Sequence, residues 1–325
     1  MSRHHLLRSS PETCHWGYFD AALPPVMTVL SGDTVTIEAI SGAGEVMPPP
    51  AGCDVLPEHE AVLAALQPKL GPHILTGPVA VEGAMPGDVL EIEIQAVDLR
   101  QNWGWNIIRP FRGTLPEDFP KTRIWHSGID INRRVGTLPW GPEVALRPFF
   151  GIMGVAPAPS LGALGSIEPR EYGGNMDLKE LVAGTILYLP VWAPGALFSV
   201  GDGHAIQGDG EVCLTGLETA LRGTFKLTLR RDMKLSLPIA ETPTHAITLA
   251  FDPDLDDAAK QALRAMIALI VERSGIPADD AYVLCSLVAD VHVTQLVDGN
   301  KGAHVMIDKR WLQSPDTIKA AGIPL

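Results

Sequence analysis

The chain has 325 residues, of which 46% are hydrophobic and 19% charged, a balance that excludes a disordered or membrane-spanning protein. Its formal net charge of −13 excludes a nucleic-acid partner, whose phosphate backbone would repel it, and suits a neutral or cationic small molecule. Cys14, Cys53, Cys213 and Cys285 are scattered, without a CxxC pair, as expected of a reducing, cytoplasmic compartment.

The opening segment holds only a Leu pair as its apolar run, so no signal peptide is expected. No run approaches the roughly 18 apolar residues of a membrane span. Thirty-two glycines and 28 prolines spread along the chain predict many short strands joined by turns. In "SGDTVTIEAISG" (31–42), Val35, Ile37 and Ala39 alternate with Thr34, Thr36 and Glu38, the period of a half-buried strand. A short helix is expected within 57–70, and "PGDVLEIEIQAV" (86–97) repeats the turn-and-strand pattern. Long loops are expected at 46–59 and 113–123.

Near the C-terminus, Asp254, Asp256 and Asp257 open a helical pattern that Gly275 closes. A second helix is predicted from Ala278 to about Ala289, then a strand at 291–297, a turn at "DGN" (298–300) and a return strand at 304–307. The fold class expected is mixed and β-rich: a β-sandwich or barrel-like body of short strands with a C-terminal α/β portion. We read 1–325 as a single unit, with the body at about 10–250 and the helical part at about 251–325.

The densest chemistry lies in "VGDGHAIQGDGEV" (200–212). Asp202 and His204 follow a predicted strand, and a spacing of two turns both side chains to one face. Carboxylate and imidazole are good zinc ligands, and the surrounding glycines let backbone approach a ligand closely. The competing reading is a Gly-Asp hairpin with solvated carboxylates, and the two stand level. Asp209 and Glu211 repeat the spacing, with Glu211 expected to start a strand, "EVCLTGL". In "EYGGNMDLKEL" (171–181), Asn175 and Asp177 could share a site or merely cap a short helix, "LKEL". His73, between two Gly-Pro corners, could be a ligand, a general acid or a surface histidine. His15, His292 and His304 read first as structural. The GxSxG, HExxH and P-loop patterns are missing, and no Rossmann fingerprint is supported.

Several phrases together resemble the acetamidase/formamidase family: "PETCHWGYFDAALPPVMTVLSGDTVTIEAISG", "HILTGPVAVEGAMPGDVLEIEI", "PFFGIMGVAP", "GGNMDLKEL", "VGDGHAIQGDGEVCLTGLE" and "VTQLVDGNKGAHVMI". They occur in the family's order from about residue 10 to 310. The resemblance implies hydrolysis of short amides such as formamide and acetamide, or of γ-lactams, by a homo-oligomer (dimer or higher), with zinc in some members. On that basis Asp202 and His204 are expected to hold a metal, with Asp177 or His73 completing the shell. Glu211 is expected as general base, although it and Asp177 could exchange roles. Glycine N–H groups of 201–210 are expected to face an oxyanion, and Trp103, Trp105, Trp140 and Phe149 or Phe150 to wall the pocket. Two rivals remain: a Cys213 nucleophile paired with Glu211, and a metal-stabilised binding protein without turnover.

Overall fold

The computed structural model describes residues 2–314, 316 and 317, so the end of the expected C-terminal portion lies outside the described residues. Its spine is a nine-stranded sheet in the order His4–Leu7, Asp33–Ala39, Leu221–Arg230, Val89–Leu99, Ile186–Pro190, Ile239–Glu241, His245–Asp252, Lys301–Asp308 and Ala289–Gln295. The first pair is parallel and the others antiparallel.

A six-stranded sheet lies against one half of this spine. It runs Gly173–Asn175, Phe149–Gly154, Phe198–His204, Ile74–Val81 and Cys14–Trp16, with Met27–Val29 also paired to Ile74–Val81. Val35, Ile37, Ile92 and Phe225 from the spine share one core with Leu75, Ile152, Phe198 and Val200 from the second sheet. Phe225 meets Phe150 at 5.6 Å and Phe198 at 5.7 Å, both edge to face. This is the expected sandwich, and no sheet closes into a barrel among the described residues.

The alternation at 34–39 survives with one change. Val35, Ile37 and Ala39 are buried, but Thr36 and Glu38 are buried too. Arg222 and Arg100 both reach across to the Glu38 carboxylate, so the polar face is covered by ion pairs rather than by water.

The other half of the spine carries the two C-terminal helices, whereas the first helix packs through Val62 on Cys14, Trp16, Ile40 and Ile74. Helix α1 (Pro57–Ala65) is shorter than its 57–70 window. In α2 (Leu255–Ser274) the Asp254 side chain accepts from the N–H groups of Asp256 and Asp257, and Gly275 ends the helix in the left-handed region. α3 (Ala278–Val288) follows, and α2 sets Ala262, Met266 and Ile270 against Ala246, Ala250, Val305 and Ile307 of the sheet. A four-stranded sheet, Glu143–Ala145, Val135–Thr137, Arg123–Asp130 and Trp103–Ile108, completes the body. No helix of the described residues is long and apolar enough to cross a membrane.

His15, read as structural, is buried, with Nε2 3.1 Å from Ser199 Oγ. Burial pushes its imidazole from 6.5 down to about 4. Between those pH values the unfolded chain takes up a proton that the folded chain refuses, so stability present above pH 6.5 is lost as pH falls toward 4. The loss is roughly 3 kcal/mol at most. Urea unfolding of wild type and His15→Gln should diverge across that window; parallel pH curves would refute the assignment.

Candidate active site

The strand Phe198–His204 ends in the middle of the molecule, and the chain returns beside it at residues 217–219. Ala205 N–H donates to the Leu217 carbonyl at 2.7 Å and Thr219 N–H to the Gly203 carbonyl at 2.6 Å, which sets Glu218 opposite His204. On its other side Glu218 exchanges two backbone hydrogen bonds with Trp105, each 2.9 Å. Glu218 is therefore the link between the six-stranded and four-stranded sheets. Its Oε1 lies 2.8 Å from His204 Nε2, and Asp202 Oδ2 lies 3.2 Å from the same nitrogen.

Three further carboxylates close around this pair. Asp177 Oδ1 is 3.9 Å from His204 Nδ1, and Glu211 Oε1 is 3.8 Å from His204 Nε2. Asp298, in the turn of the C-terminal hairpin, is buried beside Asp177, whose charge helps to push it up. The backbone is bent to bring them here. Asp177, Asp202 and Glu211 have φ of 49°, 54° and 45°, the left-handed region that side chains other than glycine occupy at a cost of about 1–3 kcal/mol each. Phe149 seals one side, its ring 5.0 Å from and perpendicular to that of His204. Gly151 leaves the space between the carboxylates open: a Cβ there would overlap Asp177 Oδ1 and lie 2.7 Å from Asp202 Oδ2.

Electrostatics make this cluster unusual. Asp177, Asp202, Glu211, Glu218 and Asp298 surround one imidazole, and among the described residues no Lys or Arg pairs with any of them. Burial, then the Asp202 charge, pushes Glu218 up to about 8. Burial and the Asp177 and Asp298 charges raise Glu211 well above the carboxylate range. His204 is raised against its own burial by Glu218 and Asp202, and Asp202 is lowered against burial by His204. Both oxygens of Asp177 and both ring nitrogens of His204 lack a well-formed hydrogen bond. So much buried negative charge requires protons or a cation. The N/O donor set fits a divalent ion, in two overlapping groups, Asp177–His204–Glu211 and Asp202–His204–Glu218.

Asp202, Glu211, Glu218 and Asp298 of this cluster line a cavity of about 220 Å³, with His204 and Asp177 buried behind them. Asp202, Glu211, Glu218 and Asn175 line its base, and Ile40, Ile74, Ile107 and Leu214 its apolar walls. Trp105 also lines it and keeps a buried indole N–H without a partner. His73 is on the wall, Nδ1 held 2.8 Å from Ser166 Oγ, so its other ring nitrogen is free.

Asp177, Asp202, His204 and Glu211 are thus brought together, with His73 facing the same space. Glu218 and Asp298 escape sequence reasoning. Glu218 carries no motif of its own, and Asp298 reads as a turn residue, which it also is. Other expectations need correction. Glu211 does not start a strand: Glu211 N–H donates to the Gly208 carbonyl and Leu214 N–H to the Glu211 carbonyl, making successive turns. "LKEL" forms turns, not a helix, and leaves Asp177 without a capping role. The Gly210 N–H is spent on the Thr294 carbonyl and cannot face an oxyanion. Of the aromatic residues, Trp103 and Phe150 are core, Trp140 is 68% exposed, and Trp105 and Phe149 adjoin the site. Cys213 is exposed, with Sγ against the Thr215 carbonyl, and does not line the cavity.

Comparison with known proteins agrees with the early resemblance. The model of the acetamidase/formamidase family matches residues 7–164 and 162–307. The chain belongs to the acetamidase/formamidase family. Among its relatives, a formamidase of Methylophilus methylotrophus is 28% identical over 250 residues, 58% of this chain and 61% of that protein. An acetamidase of Mycolicibacterium smegmatis is 29% identical over 202 residues, 44% of this chain and 50% of that protein. The chain thus spans about half to three-fifths of the length of these relatives. The crystal structure of an acetamidase from Bacillus halodurans shares the architecture, with a TM-score of 0.81 and 29% identity over 94% of this chain and 98% of that one.

Proposed function

We propose that the protein is an amidase that hydrolyses the carbon–nitrogen bond of a small non-peptide amide, releasing ammonia and a carboxylate, or an amino acid from a small lactam. The observation that carries this reading is the buried carboxylate–imidazole cluster at a cavity with apolar walls, in a chain of this family.

Asp202 and His204, whose facing donors stand 3.2 Å apart, would hold a divalent ion such as zinc, with Asp177 beside the other ring nitrogen of His204. The chemistry such an ion supplies when bound is polarisation of an oxygen and a lower pKa for water. Glu211 is the base. Gly216 N–H donates to its Oε1 at 2.9 Å, which fixes the carboxylate at the cavity floor. Its raised pKa suits a group that must take a proton and then release it. As water oxygen bonds to the amide carbon, Glu211 accepts the water proton, then delivers it to the nitrogen as the C–N bond breaks. Glu218 positions His204 through their 2.8 Å contact. His73 offers its free ring nitrogen to the leaving group, and the Trp105 indole N–H, on the lining of the same cavity, orients the substrate. The exposed Cys213 has no place in this chemistry.

The test is ammonia release and ring opening across a panel of short amides and lactams, with elemental analysis of wild type, Asp202→Ala and His204→Ala. Turnover by wild type, with loss of metal and activity in both variants, is expected. A wild type inert on the whole panel would point to a binding protein, and full metal and activity in both variants would remove the ligand assignment.

A further inference from the structure

A second group of imidazole and carboxylate donors stands apart from the cluster just described, and the proposal built on it does not depend on the amidase reading. His292 and His304 face each other across the C-terminal hairpin, rings stacked at 4.7 Å and 5°. Asp209, two residues before Glu211, places Oδ2 3.1 Å from His292 Nδ1. Thr294 Oγ1 holds His304 Nδ1 at 2.7 Å, leaving Nε2 free. That Nε2 is buried without a partner, on a side chain that is 0% exposed. A buried polar atom left unpaired costs about 1–3 kcal/mol, and such atoms call for a ligand.

We propose that Asp209, His292 and His304 form a second divalent-cation site, for a zinc-like ion, which fastens the loop bearing Glu211 to the C-terminal hairpin. One donor atom from each residue lies within 4.8 Å of the others. Donors around a tetrahedral zinc, each about 2.1 Å from the ion, stand roughly 3.4 Å apart. The remaining movement falls on Asp209 and His292, whose side chains are 33% and 32% exposed and would exchange their contact with each other for the ion. Backbone already holds the two segments in register: Gly210 N–H donates to the Thr294 carbonyl and Leu296 N–H to the Gly210 carbonyl, both at 3.0 Å. Lys179 Nζ sits 3.0 Å from Asp209 Oδ1 and opposes the ion by its charge. Removing that ammonium should therefore tighten the site.

The experiment is equilibrium dialysis of the full, chelator-stripped chain against zinc, read by elemental analysis. His292→Ala should bind one equivalent fewer than wild type. Lys179→Met should hold that equivalent at least threefold more tightly, and Asp202→Ala should keep it. Thermal melts establish that each variant folds. Should Asp202→Ala not fold, the visible absorption of bound cobalt, compared between wild type and His292→Ala, reads the same equivalent. Unchanged stoichiometry and affinity in His292→Ala and Asp209→Ala, or unchanged affinity in Lys179→Met, would overturn the proposal. Failure of the amidase panel alone would leave it standing.

Discussion

Glu211→Gln is expected to lower kcat by about 10²–10⁴-fold, the usual contribution of a positioned general base, while leaving the fold and the metal content intact. The amide side chain matches the carboxylate in size and keeps an oxygen to accept from Gly216 N–H, so the loop need not move. What it loses is proton affinity. Glu211 lines the cavity, is held by a backbone donor, and is raised well above the carboxylate range first by burial and then by Asp177 and Asp298. The check is steady-state kinetics together with metal analysis. A variant with near wild-type kcat would move the base to Asp177, whose role in the sequence reading was interchangeable with that of Glu211. Loss of the ion along with activity would instead make Glu211 a ligand.

Gly151→Ala is expected to be nearly as damaging, although Gly151 takes part in no proton transfer. Its φ is not in the glycine-favouring region, so the backbone accepts alanine. The obstacle is the methyl group. It would overlap Asp177 Oδ1 and stand 2.7 Å from Asp202 Oδ2 and 2.9 Å from His204 Cε1. Displacement of such groups by an ångström lowers turnover by about 10²-fold, and overpacking costs about 1–3 kcal/mol. Assay and urea unfolding of the variant would check both, and full activity would show that the cluster is not held as described.

What could be read from sequence divides along the range of the interactions. The helix capped by Asp254 and ended by Gly275 was legible because capping is a local event, settled within a few residues. Asp202 and His204 were legible because a strand places residues two apart on one side. The partner contributing the 2.8 Å contact to His204 was not, because Glu218 reaches it only where the chain returns to pair with Gly203 and Ala205 on one side and with the distant Trp105 on the other. The apparent strand at Glu211 failed for a related reason. Its apolar run Val212, Cys213 and Leu214 suggests a sheet, but the loop instead turns twice to deliver one carboxylate inward. The strained φ of Asp177, Asp202 and Glu211 leaves no mark in composition, and tertiary packing holds it.

The position of Glu218 between two sheets also bears on how the protein comes into being. His73 and Gly151 come from the first part of the chain, and Asp177, Asp202, Glu211 and Asp298 from the second. The strand that carries Asp202 and His204 lies between Phe149–Gly154 and Ile74–Val81, so the cluster has no fixed frame until both parts have closed. Such distant pairings form slowly, because a long loop must be ordered before any contact rewards it. Until then the acidic groups stay hydrated and mutually repulsive, and a growing chain exposes no working centre. For the metal site proposed above, ion uptake during refolding should therefore lag behind secondary structure and report completion of the fold.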